Sequence, residues 1–100
     1  MQINDDCIIW LKNILAIEII VEAWIFGSVV RFGDGYNDVD VFVRYRDGFV
    51  GSVVQLRRCA EVSFKDQFGV PLHLLVLSEI ESEQSSQFLE KALCGGVRIV

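Results

Sequence analysis

The stretch Asp38-Val39-Asp40-Val41-Phe42-Val43 constrains the fold of this chain more than any other. Successive side chains of a strand point to opposite faces, so Val39, Val41 and Val43 share one face and Asp38 and Asp40 share the other. The valine face reads as core. The opposite face begins with two carboxylates in a backbone conformation that disfavours aspartate. A strand of this kind needs a sheet beside it and helices on its apolar side.

The rest of the chain supplies both. Asn4 can cap a first helix, with Asp5 and Asp6 at its positive end and Ile8, Leu11, Ile14 and Leu15 as its apolar stripe. This helix is expected to fade between Ala16 and Glu18. The β-branched and aromatic run Ile19 to Phe26 reads as a strand that stops at Gly27-Ser28. Residues 29–37 read as a short helical turn and a loop marked by Gly33 and Gly35. The Asp38 to Tyr45 strand ends at Asp47-Gly48. Phe49, Val53, Leu56, Ala60, Phe64 and Phe68 then recur at helical spacing, predicting a long helix to about Gln67, with Gly69 and Pro71 as its stop. Pro71 to Leu77 reads as a third strand. Ser78 and Glu81 fit a capping box for a last helix over Glu79 to Leu93, and Val97 to Val100 offers a short fourth strand. The expected fold class is α/β (α+β): a small mixed sheet of three to four strands with about three helices, in one domain over residues 1–100.

Composition narrows the function. A chain of 100 residues holds one core and little more. At 52% hydrophobic it carries more apolar surface than it can bury alone, so an exposed apolar patch that meets a partner or a second copy is expected. No apolar run reaches membrane-spanning length, since Glu18 and Glu22 interrupt the nearest one, and the acidic start lacks the basic region of a signal peptide. A net charge of −5 argues against a general nucleic-acid binder but not against a nucleotide held through a metal. Cys7, Cys59 and Cys94 show neither metal-ligand nor disulfide spacing and read as reduced, buried thiols of a cytoplasmic protein.

Two carboxylates at i and i+2 on one face repel each other, and a divalent cation relieves the repulsion. Mg²⁺ takes oxygen ligands and is commonly held by one or two carboxylates plus substrate phosphates. Asp-x-Asp at the start of a strand is also a common solvated feature, so the pair alone does not decide. Gly27-Ser28 ends an apolar strand, where glycine admits a phosphate close to the backbone and the serine hydroxyl and free N–H groups can bind its oxygens. Alone, Gly-Ser is an ordinary turn dipeptide.

The combination is more specific. An apolar strand, Gly27-Ser28, the spacer Val29 to Asn37, Asp38-Val39-Asp40 and a second apolar strand resemble the signature of the DNA polymerase beta-like nucleotidyltransferase superfamily, above all its minimal, stand-alone members. Arg31 and Gly33 match the Arg and Gly that often follow the Gly-Ser there. The resemblance implies a nucleotidyltransferase fold in which Gly27 and Ser28 hold the β/γ phosphates of an NTP, ATP being the first candidate. Asp38 and Asp40 would hold Mg²⁺ or Mn²⁺ against those phosphates while an acceptor hydroxyl attacks the α-phosphate. Arg31 is either a further phosphate contact or a solvated turn residue.

Active members usually carry a third carboxylate on a later strand. The matching strand here, Val70 to Leu77, has His73 in that place. His73 is open to three readings: a general base replacing the acid, a ligand for a transition metal such as Mn²⁺, or a structural residue of a site that has lost its second metal. Trp10 and Trp24 read as core or interface, and Arg57, Arg58 and Lys65 as a solvated helix face. The resemblance implies transfer of a nucleoside monophosphate to a protein or RNA hydroxyl. Minimal members often stand beside a helical HEPN protein as the MNT half of an MNT/HEPN toxin–antitoxin pair. The expected partner is such a HEPN-like protein or a second copy. The alternative is a catalytically degraded, antitoxin-like module that acts by binding a partner.

Overall fold

The computed structural model describes residues 5–27 and 38–100. Helix α1 (Asp5–Leu15) leads into β1 (Ile20–Phe26), β2 (Val39–Tyr45), α2 (Val50–Phe68), β3 (Leu72–Ser78), α3 (Glu79–Gln84), α4 (Ser86–Ala92) and β4 (Val97–Arg98). The strands form one mixed sheet in the order β3-β2-β1-β4. β1 runs antiparallel to β2 and β4, and β2 runs parallel to β3, the long helix α2 providing the crossover that a parallel pair requires.

One face of the sheet carries the main core. Val39, Val41 and Val43 are buried there, with Ala23 and Ile25 from β1 and Leu72 and Leu74 from β3. Leu11 and Leu15 of α1 and Val53, Ala60 and Phe64 of α2 close over them. The ring of Trp10 meets Phe64 edge-on with centroids 5.5 Å apart, and Phe64 stacks at a tilt on Phe68 at 4.8 Å, so aromatic contacts join the two helices. Ile20 also belongs to this core, although it is three residues before Ala23. A register shift between Ile20 and Glu22 makes this compatible: Ile20 pairs with Tyr45 and Glu22 with Arg44, leaving Val21 as the extra residue of a bulge.

The ends of the elements follow local chemistry. Gly69 takes a left-handed φ of 76° and donates its N–H to the Lys65 carbonyl, ending α2 as the Gly69/Pro71 pair predicts. Phe49 is not on the apolar stripe; it precedes the helix and is exposed. The capping box forms, with the Glu81 N–H donating to Ser78 Oγ at 3.1 Å and the Ser78 N–H donating to Glu81 Oε1 at 2.9 Å. Donation from the Ser78 N–H to its carboxylate, and then hydrogen bonding with the Ser78 side chain, holds Glu81 below the ordinary carboxylate range. Replacing Ser78 by alanine removes the cap acceptor and is expected to cost about 1 kcal/mol in chemical denaturation at neutral pH. Because Glu81 is depressed, the box contributes above the unfolded carboxylate pKa and fades as pH falls, so the deficit of Ser78→Ala shrinks in acid.

The sequence pattern over Glu79 to Leu93 is not one helix but two. Ser85 interrupts it with φ −107° and ψ 19°, a Ser85-Ser86 step of the kind that commonly bends helices. β3 is an edge strand, and its outward Leu74 N–H donates to Glu61 Oε2 of α2 at 3.0 Å, which occupies a group that would otherwise be open to strand addition. Cys7 is buried, and burial pushes its thiol up, as suits an inert core residue. Cys59 and Cys94 correct the expectation of buried thiols: both are exposed, Cys59 on the outer side of α2 and Cys94 just past α4. No helix among the described residues is long and apolar enough to cross a membrane.

Candidate active site

The site lies on the sheet face opposite the main core, where the end of β1 meets the starts of β2 and β3. Because β1 is antiparallel to β2, its last residue Phe26 faces Asp40; because β3 is parallel to β2, His73 faces Asp40 from the other side. The row Phe26–Asp40–His73 therefore crosses three strands. Asp38 lies two residues before Asp40, on the same face and one step nearer the rim. His73 Nε2 is 3.6 Å from Asp38 Oδ2, and the His73 side chain is 60% exposed. The imidazole is thus open to solvent and reaches the first carboxylate diagonally, while its own register partner is the second.

Gly27 closes the site from β1. Its φ is +82°, a left-handed value that L side chains rarely adopt. A Cβ placed on it would lie 2.7 Å from Asp40 Oδ2. Glycine is required here twice, by its backbone angle and by the carboxylate that occupies the space of a side chain.

The electrostatics follow from this packing. Burial against the end of β1 raises Asp40 above the ordinary carboxylate range, the Asp38 charge raises it further, and His73 partly offsets both. Asp40 thus sits in a field that disfavours its own charge. The donor set suits a hard divalent cation, since two carboxylates offer oxygen ligands and such an ion would remove the repulsion that raises Asp40. His73 does not extend that set toward Mg²⁺, because imidazole prefers softer metals. Among the described residues no third acid joins this pair, and no group of three or more His, Cys, Asp or Glu side chains is gathered to hold a metal.

The structure therefore places Asp38, Asp40, His73 and Gly27 at one end of the sheet. Ser28 and Arg31, the other two expected nucleotide contacts, lie outside the described residues, as do the Asn4 cap and the turn and loop over residues 29–37.

A family model of the nucleotidyltransferase domain matches residues 8–94, nearly the whole chain. The chain belongs to the nucleotidyltransferase domain family. No curated protein is detectably similar to it in sequence. Among solved structures, a chain from Shewanella oneidensis matches with a TM-score of 0.64 at 14% identity, over 98% of this chain and 72% of that one. A likeness at that identity is one of fold. Together these establish a mixed α/β nucleotidyltransferase domain with a four-stranded sheet, in agreement with the fold class expected from the sequence.

The same face of the sheet carries a feature that the strand pattern of Asp38 to Val43 leaves out. Beyond the Phe26–Asp40 pair come Trp24 opposite Phe42 and Glu22 opposite Arg44. Phe42 is fully buried, covered where α3 and α4 cross this end of the sheet, whereas Asp38 and Asp40 are only partly covered. Arg44 Nη1 meets Glu22 Oε1 at 2.7 Å, and its guanidinium carbon lies 6.0 Å from the centre of the Phe42 ring. Trp24 Nε1 donates to Glu22 Oε2 at 3.4 Å. One sheet face thus changes from open and acidic at the start of β2 to covered and ion-paired at its end. The period-two alternation of Glu22, Trp24, Phe26 against Ala23, Ile25 is the sequence signal for it.

Proposed function

We propose that this domain is a metal-dependent nucleotidyltransferase that moves a nucleoside monophosphate from an NTP, ATP first among them, to a hydroxyl of a protein or RNA acceptor. The observation that carries this reading is the closeness of Asp40 to Gly27, where a Cβ would lie 2.7 Å from Oδ2, beside Asp38: a glycine that admits no side chain and a carboxylate pair at one sheet end. Family membership supplies the reaction class. When bound, Mg²⁺ or Mn²⁺ neutralises charge on the phosphates and the leaving group. Asp38 and Asp40 would hold it, Gly27 and Ser28 would bind the β/γ phosphates, and Arg31 would add positive charge near them. The acceptor oxygen bonds to the α-phosphorus, the bond to the β-phosphate bridging oxygen breaks, and pyrophosphate leaves. The hydroxyl proton passes to His73 Nε2, whose exposed ring can face an acceptor and return the proton to water.

Isothermal titration calorimetry of ATP, then of the other NTPs, with and without Mg²⁺ or Mn²⁺, tests the site. Metal-dependent binding by the wild type and its absence in Asp38→Asn/Asp40→Asn are expected; a wild type that binds no NTP with either metal overturns the reading. His73 is tested separately. As general base it contributes about 10²–10⁴-fold, so His73→Ala should reduce transfer by at least about 100-fold while metal-dependent ATP binding stays intact.

A second reading rests on the missing third carboxylate among the described residues. In it the fold has lost transfer and serves as an antitoxin-like module that binds a partner. It differs in outcome: Asp38→Asn/Asp40→Asn then leaves cellular function unchanged. In either form we place the domain in the cytoplasm, in a toxin–antitoxin pair, with a HEPN-like helical protein or a second copy as its partner. The described residues form one sheet with its helices, and we assign the acceptor to the partner.

A further inference from the structure

We propose that the cavity between β1, β2 and the α3–α4 pair is a docking site for a lysine or arginine side chain of a protein partner. The cavity holds about 450 Å³, and its lining includes the apolar side chains of Trp24, Leu89 and Leu93 and the carboxylates of Glu79, Glu83 and Glu90, with Glu22 and Arg44 at the sheet. This volume lies within the range of sites that bind discrete ligands.

Its charge is one-sided. The lining has four glutamates and one arginine, a net of −3. Arg44 is already committed to Glu22, which also lies 3.7 Å from Arg98 Nη1 and accepts from Trp24. Among the described residues no ion pair reaches Glu79, Glu83 or Glu90. Three carboxylates thus line the pocket together with an indole and two leucines. A long cationic side chain fits both halves, because its methylene stem packs on Leu89, Leu93 and Trp24 while its charged head meets the carboxylates. A protein is favoured over a free amine by the surroundings. Ile80 of α3 and Phe88 of α4 are 55% and 58% exposed on the helices that frame the cavity, giving a macromolecular partner apolar anchors that a small cation does not need.

The position matters as well. Trp24 and Phe42 are the next pair along the strands from Phe26 and Asp40, so the cavity shares a sheet face with the carboxylate pair. Two residues of strand span roughly 7 Å, so a partner anchored at Trp24 comes within reach of Asp40. The inference stands on the cavity and does not require that transfer occur, but it supplies the partner that the transfer reading calls for.

The test is fluorescence anisotropy of a fluorescein-labelled hexa-arginine peptide at physiological ionic strength, where long-range attraction is screened. Glu83→Gln/Glu90→Gln should weaken binding at least tenfold, and Trp24→Leu about threefold. Asp5→Asn/Asp66→Asn, an equal change of charge on α1 and α2, should leave it within twofold. Equal losses in the two double variants, or no binding by the wild type, overturn the proposal. Displacement of the peptide by spermine at equal or lower concentration gives the site to a free polyamine and overturns it too. Metal-dependent ATP binding, measured on Glu83→Gln/Glu90→Gln and expected unchanged, separates this result from failure of the transfer reading.

Discussion

Asp38→Asn/Asp40→Asn is expected to lose metal-dependent ATP binding and nucleotidyl transfer and, in the absence of metal, to melt at a higher temperature than the wild type. The two effects share one cause. Burial and the Asp38 charge raise Asp40, so ionising it costs more in the folded chain than in the unfolded one. A carboxyl whose folded pKa is raised binds more protons in the native state over the window between its unfolded and folded values. Stability therefore falls as pH rises through that window and stays lower above it. Asparagine removes the charge at nearly constant shape. The melting advantage of the double variant should be present at neutral pH and vanish in acid, below the unfolded aspartate range near 3.9. Added Mg²⁺ should raise the wild-type melting temperature and leave the variant's unchanged, because ligands that bind only the native state stabilise it by mass action. Transfer should fall by more than about 100-fold, since the charge stabilisation a metal offers is worth several kcal/mol. Differential scanning fluorimetry across pH, with and without Mg²⁺, reads the stability half; release of pyrophosphate reads the other. A double variant that melts below the wild type at neutral pH without metal would show that the carboxylates hold the sheet end together rather than strain it.

Repulsion between neighbouring carboxylates is the kind of local conflict that a sequence displays directly. Two aspartates at a strand start, Asp38 just before β2 and Asp40 within it, run against strand propensity, and that conflict marks them in the sequence. The main core was legible for the complementary reason: period two in β2 and period 3.6 in α2 assign Val39, Val41, Val43, Val53, Ala60 and Phe64 to one interior, and all six are buried. What escaped the pattern depends on tertiary context. Ile20 and Val21 are both apolar, so nothing local says that Val21 is the extra residue of a bulge. The Ser85 break leaves the apolar spacing of the last helices almost intact. Cys59 and Cys94 are small hydrophobes by type, and only the orientation of their elements exposes them. Phe42 sits on the carboxylate face by alternation but is buried, because α3 and α4 cover that end of the sheet alone. The alignment of His73 with Asp40, by contrast, was expected from the family resemblance and is found, although it follows from a parallel register that neither strand specifies by itself.

Gly27→Ala is expected to destabilise the domain and to disable the site through Asp40. Two separate penalties apply. The left-handed backbone at φ +82° costs a residue with a Cβ roughly 1–2 kcal/mol. The new methyl would also stand 2.7 Å from Asp40 Oδ2, well inside contact distance, so the carboxylate must turn away from the position that brings it beside Asp38. A double-mutant cycle separates the two. In an Asp40→Ala background the obstructing oxygen is gone, and Gly27→Ala should cost only the backbone part; in the wild type it should cost more, the difference being the coupling between the two positions. Urea denaturation of the four proteins gives that coupling. Calorimetry with ATP and Mg²⁺ gives the functional side, where Gly27→Ala alone should bind as poorly as Asp40→Asn even if it remains folded. If the two substitutions were additive in stability, Gly27 would serve only the turn at the end of β1. Coupling, by contrast, makes the glycine a part of the carboxylate site, conserving by its missing side chain the space in which Asp40 is held.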